Sequence, residues 1–266
     1  MENMNFSPLT EPLIFDSHAH YDDERLLSCG DELFAELSKS VAGIITCGCD
    51  FASCETAQSL AEKYGFVHFA AGIHPENVGS VEGLSIESVT TKITEFSKHK
   101  KCVAIGEIGL DYYWTKDDIP LQKKIFSAQL ELSSALDMPV IIHDREAHAD
   151  TLEMLKQYKP KGVVHSFSGS VEMSKEIFKL GMYIGISGVI TFKNARKLPD
   201  VVKEMPLDRF LLETDAPYLA PVPFRGKVNN SAMIYFTAEK IGEIKGISTE
   251  DVLNFALENT KRLYDI

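Results

Sequence analysis

Leu13-Ile14-Phe15-Asp16-Ser17-His18-Ala19-His20 passes from apolar side chains into a carboxylate and two imidazoles. The apolar part reads as the end of a buried strand. Side chains two apart on a strand point to one face, so His18 and His20 aim together, with Asp16 on the same side. Two imidazoles converging from one strand end form half of a site for zinc or another transition ion. The continuation also bears on the fold. An open, doubly wound sheet would carry a Gly-rich phosphate fingerprint after its first strand, and none follows here.

Outward from this stretch the same rhythm of apolar run, polar loop and amphipathic segment recurs. The runs lie at 13–16, 42–46, 67–71, 102–105, 140–142, 162–164, 182–186 and 210–212. Helical patterns fill the intervals, among them 121–136 and 150–158. The last, 248–264, opens on Ser248-Thr249-Glu250-Asp251 as a cap. Buried runs alternating with helices predict parallel strands joined by crossovers. Their number, eight, predicts an α/β fold of the TIM-type (β/α)8 barrel class, in a single domain over residues 1–266.

The composition, 44% hydrophobic, supplies a large core. No apolar stretch reaches the roughly 18 residues of a membrane span. Met1 to Glu11 lacks the basic-then-apolar layout of a secretory signal. The five cysteines are odd in number, and several sit within apolar runs. That fits reduced thiols in a cytoplasmic enzyme better than a disulfide framework. Cys47, Cys49 and Cys54 match no zinc spacing and are expected to be structural. A net charge of −12 argues against a broad basic surface tracking duplex DNA, though not against a small site gripping one nucleic-acid end.

In a barrel the C-terminal strand ends form one mouth, where active sites lie. His18, His20, His74, His143 and His165 all fall there, five of the eight histidines. His68, His99 and His148 lie elsewhere and are read as ordinary. Glu107, flanked by Gly106 and Gly109, ends the fourth run. A carboxylate buried there costs on the order of several kcal/mol unless it is paired or bound to metal. The eighth strand neighbours the first, so Asp215 completes the ring, unless it caps a helix ahead of Ala216-Pro217. His18, His20, His143, His165, Glu107 and Asp215 are too many for one tetrahedral ion. They suit two ions bridged by a carboxylate and a water, a geometry used for hydrolysis.

Six blocks then acquire a common meaning. They are Asp16-Ser17-His18-Ala19-His20, Gly72-Ile73-His74-Pro75, Gly106-Glu107-Ile108-Gly109-Leu110-Asp111-Tyr112-Tyr113, Pro139-Val140-Ile141-Ile142-His143-Asp144-Arg145, His165-Ser166-Phe167-Ser168-Gly169 and Glu213-Thr214-Asp215-Ala216-Pro217-Tyr218-Leu219. In this order they resemble the signature blocks of the TatD family, metal-dependent DNases among the amidohydrolase-like barrels. The resemblance spans nearly the whole chain. It implies one metal held by His18, His20, Glu107 and Asp215, and a second held by Glu107, His143 and His165. Asn259 to Tyr264 resembles the family's closing helix. Two places depart from the pattern. Glu76 stands where a further histidine is frequent, and Asn229-Asn230-Ser231 stands where Asn-Glu-Pro is usual.

The expected activity is hydrolysis of phosphodiester bonds in DNA with two divalent ions, Mg2+, Mn2+ or Zn2+. The family implies a 3′ to 5′ exonuclease working on single strands or strand ends. Asp215 would take a proton, and Arg145 and His74 would stabilise charge on the phosphate. Lys193, Arg196, Arg225 and Lys227 follow the last two strands and read as solvated charges. Tyr112, Tyr113 and Trp114 either stack on bases or plug the barrel. A monomer without membrane contact is expected. One alternative is a barrel hydrolase cleaving C–N bonds, but such binuclear members usually bridge their metals with a modified lysine where this chain has Glu107. The other is a non-catalytic binding barrel, which should have lost ligands, and none is lost.

Overall fold

The computed structural model describes residues 11–114 and 116–266, so residues 1–10 of the stretch read for a secretory signal lie outside the described residues. Eight strands, β1 (Ile14–Ala19), β2 (Val41–Cys47), β3 (Val67–Ala71), β4 (Cys102–Asp111), β5 (Val140–Arg145), β6 (Gly162–Val164), β7 (Tyr183–Ile186) and β8 (Phe210–Leu212), pair in sequential order. Every pairing is parallel. A parallel bridge between Ala19 and Ala216 closes the ring, with His20 N donating to Ala216 O at 2.7 Å and Asp215 N to His18 O at 3.0 Å. The expected TIM-type (β/α)8 barrel is the fold observed.

Period-two alternation divides the core into two layers. Phe15, Ile45, Ala70, Ala104, Ile141, Val163, Tyr183 and Leu211, one from each strand, cluster together with Leu257 and Tyr264 of the final helix. Their neighbours Ile14, Ile44, Phe69, Ile105, Ile142, Val164, Ile184 and Leu212 pack outward under the helices. The expected helices appear as Ile119–Leu136, His148–Tyr158 and Thr249–Tyr264, and Ser248 caps the last by accepting from Asp251 N. Among the described residues no helix is long and apolar enough to cross a membrane.

Three strands outrun their apolar segments. β1 continues through His18, β4 through Glu107 to Asp111, and β5 through His143 to Arg145. Hydrophobic patterning stops where the side chains turn toward the mouth, but the backbone ladder does not: Gly109 still pairs with His143 and Leu110 with Asp144. Gly109 has φ 149°, and a Cβ there would stand 2.0 Å from His143 O, so only glycine lets the strands approach.

Asp16 corrects a simple alternation. Its carboxylate does not join His18 and His20. It accepts from Thr214 N (3.0 Å), Thr214 Oγ1 (2.6 Å) and Ser231 Oγ (2.7 Å), beneath the mouth. The pairing of β1 with β2 shifts register between Asp16 and Ala19, which breaks the period-two rule at this point.

Candidate metal centre

The two oxygens of Glu107 face two sets of nitrogens. Oε2 lies 3.3 Å from His18 Nε2 and 3.5 Å from His20 Nε2. Oε1 lies 2.8 Å from His165 Nε2, 2.9 Å from His143 Nδ1 and 3.3 Å from His74 Nε2. Asp215 Oδ1 stands 3.6 Å from His18 Nε2 and 3.4 Å from His20 Nε2, which are 3.1 Å from each other. Two atoms that each sit about 2.0–2.1 Å from one tetrahedral ion are roughly 3.3–3.4 Å apart. The separations of 3.3–3.6 Å are close to that spacing, whereas the 2.8 and 2.9 Å contacts of Glu107 with His165 and His143 are hydrogen-bond lengths. His18, His20 and Asp215 form one group able to hold a cation, and His18, Glu107 and His165 another.

Hydrogen bonds on the outer ring nitrogens select tautomers. His143 Nε2–H donates to Asp111 Oδ2 at 3.0 Å, and Nδ1 is the nitrogen that faces Glu107, at 2.9 Å. His20 Nδ1–H donates to Cys47 O at 3.2 Å, so Nε2 is the nitrogen that faces the carboxylates of Glu107 and Asp215. Ring nitrogens brought this close to a carboxylate share either a proton or a cation with it. His74 is arranged in the opposite sense. Its Nδ1 accepts from Glu76 N at 3.1 Å, so Nε2 carries the hydrogen and presents a donor. His74 is thus a hydrogen-bond donor toward the centre, and its place in the candidate group with Glu107 and His143 does not make it a ligand in this tautomer.

Charge follows geometry. Burial would raise the Glu107 carboxyl, but His165, His74 and His18 outweigh it and hold the group well below the usual carboxylate range. Burial opposes a charged His143, yet Asp111 and Glu107 raise it to about 9. Burial lowers His74 to about 4, against the pull of Glu107, so this ring is neutral near pH 7.

Around this centre the other expected residues separate. Arg145, exposed, lies over the Tyr113 ring at 4.5 Å and near Trp114 at 5.5 Å. Tyr112 bonds Asp150 at 2.5 Å and is half-buried, while Tyr113 and Trp114 are exposed. Arg225 lies over Phe192 at 3.7 Å and donates to Ala220 O, and Lys193 and Arg196 are exposed after β7. His99 pairs with Glu62 and His148 with Asp144. Asn229 donates to the carbonyls of Thr214 and Tyr218, holding the loop after β8. Cys49, expected to be purely structural, has Sγ 3.7 Å from His20 Nδ1 and falls with His20 and Glu107 in a further candidate group.

Two residues escaped sequence reasoning. Asp111 orients His143 and is buried, and Glu213, also buried, places Oε1 3.6 Å from His165 Nδ1. Each stands two or four positions from a candidate ligand in the quoted blocks, but only the ladder register reveals what it faces.

The model of the family described as TatD related DNase matches residues 15–265. An uncharacterized metal-dependent hydrolase, YabD of Bacillus subtilis (strain 168), is 38% identical over 96% of this chain and 100% of its own. YcfH of Escherichia coli (strain K12), likewise described as a metal-dependent hydrolase, is 35% identical over 95% of this chain and 96% of its own. Among solved structures, the TatD homolog YjjV from Escherichia coli K12 superposes with a TM-score of 0.87 at 29% identity, covering 96% of this chain and 99% of that one.

Proposed function

The chain belongs to the TatD-related DNase family, and on that premise we propose that it hydrolyses phosphodiester bonds in DNA, working from strand ends as a 3′ to 5′ exonuclease. The observation that carries this reading is the division of the Glu107 oxygens between two imidazole groups, which supports two divalent ions sharing one carboxylate. His18, His20, Glu107 and Asp215 would hold one, and Glu107, His143 and His165 the other. Ions so held supply Lewis-acid activation of a phosphoryl oxygen and of water. Asp215 Oδ1 accepts the proton of the attacking water as the new P–O bond forms, and the leaving sugar oxygen takes a proton from solvent as its bond to phosphorus breaks. His74 Nε2–H donates to a phosphate oxygen, and Arg145 presents a planar fork to the same group.

A hydrolysis screen of metal-loaded protein against single-stranded DNA, duplex DNA, RNA and cyclic amides tests the reading. Cleavage of amides with DNA left intact would replace it.

Metal uptake should reach two ions per chain and release protons. His143 is raised to about 9, so its proton competes with a cation below that pH, and affinity should rise as pH climbs toward it. Elemental analysis, with calorimetry in two buffers of different ionisation heat, measures both. At most one weakly held ion would remove the binuclear arrangement.

Arg145→Ala should lower kcat/KM roughly 10- to 100-fold, from about 1.5–3 kcal/mol of lost charge-assisted hydrogen bonding. Because Arg145 is exposed, the melting curve should stay near that of the parent. Early melting with normal activity in the folded fraction would make Arg145 structural.

A further inference from the structure

Beside the ligand cluster, the rim carries two aromatic rings that the hydrolytic chemistry does not use. Trp114 is 61% exposed and Tyr113 48%, even though Arg145 lies over both. The rings meet edge to face at 4.7 Å and 88°. Two large aromatics in contact with each other and left in water form a contiguous exposed patch, the kind of surface that serves for binding. They are not a plug, since Tyr112 alone of the three turns inward to bond Asp150.

What holds them is specific. Asp111 Oδ1 accepts from Tyr113 N at 2.8 Å and from Trp114 N at 2.7 Å. Its other oxygen accepts from His143 Nε2 at 3.0 Å. One buried carboxylate thus fixes both the orientation of a candidate ligand and the backbone beneath the aromatic pair. Arg145 is tied to the same place, two residues beyond His143 on β5. The rings and the guanidinium are therefore held at a set distance from the cluster.

We infer that Trp114 and Tyr113 form a stacking subsite for one unpaired nucleobase of a single strand whose phosphodiester lies at the ligand cluster. The inference rests on the hydrolase reading above. A base offers a flat π face to the indole and leaves its phosphate beside Arg145. With a net charge of −12 the chain has little general attraction for phosphates, so stacking supplies affinity that charge does not. Bases inside a duplex already have both faces covered, which restricts the subsite to single strands and frayed ends.

Trp114 is the chain's one tryptophan, so its fluorescence reports on the subsite alone. Metal-loaded protein titrated with a short phosphorothioate-linked single strand should show quenching. The same backbone built of abasic positions should not. In anisotropy measurements Trp114→Ala should weaken binding of the base-bearing strand roughly tenfold and of the abasic strand by less than about twofold, and Trp114→Phe should restore most of the difference. Equal quenching by both strands, an unchanged affinity in Trp114→Ala, or no binding of either strand overturns the subsite. Failure of the hydrolase reading looks different. The parent protein would then bind and quench with the base-bearing strand while leaving ordinary phosphodiesters uncut.

Discussion

Asp215→Asn should fold as the parent does and hydrolyse DNA slower by a factor on the order of 10²–10⁴, the size of a lost general base. Asp215 has the exposure a base needs: its side chain is 18% accessible, against 2% for Glu107, so water can reach it. Burial would raise its carboxyl, but hydrogen bonds to His18 and His20 hold it well below the ordinary range. Asparagine keeps the shape and one oxygen but is a far poorer base. It also tolerates the left-handed backbone here, φ 57°, better than most residues, so the bond from residue 215 N to His18 O survives. The comparison requires melting curves, metal content and single-turnover cleavage. Cleavage at the parent rate with full metal content would assign the proton to another group.

Glu107→Gln should do something different and deplete metal across the whole centre. Glutamine offers one acceptor oxygen and a donating amide, so whichever way it turns, one imidazole set meets N–H groups instead of a carboxylate oxygen. Loss of a partner behind a ligand costs about 10–100-fold in metal affinity, and a carboxylate facing both sets should cost more than the upper figure. Stability should fall too. Removing the charge partner of buried imidazoles costs about 3–5 kcal/mol, and Glu107 is almost wholly buried. The metal-free variant should therefore melt well below the metal-free parent. Native melting and full uptake of both ions would deny Glu107 its bridging place.

The barrel was legible because each strand announces itself as an apolar run, and the ligand-type residues stood out because each ends such a run. Less legible was how far the strands continue. β4 resumes its pairing with β5 at Ile108 and Gly109, beyond an irregularity at Gly106 and Glu107 where apolar patterning breaks, so polarity there reads as loop. Alternation places Asp16 with His18 and His20, whereas a register shift sends it to Thr214 and Ser231. Asp111 was hidden for a related reason: it meets His143 across the β4–β5 pairing, and that register depends on the whole sheet. The three aromatics after β4 could not be sorted by type, because exposure, which separates Trp114 from Tyr112, is a property of the folded surface.

The seam where β8 meets β1 has a bearing on how the protein is made. Asp16 is joined there to groups 198 and 215 positions further along the chain, and one backbone bridge completes the closure. On the ribosome His18 and His20 emerge near the beginning, whereas Asp215, which faces them, emerges in the last fifth. A chain still growing, or cut short by a premature stop before β8, carries the imidazole pair without its opposing wall. Such fragments should lack the metal-dependent hydrolysis proposed for the whole chain, which is gained only when synthesis is nearly finished.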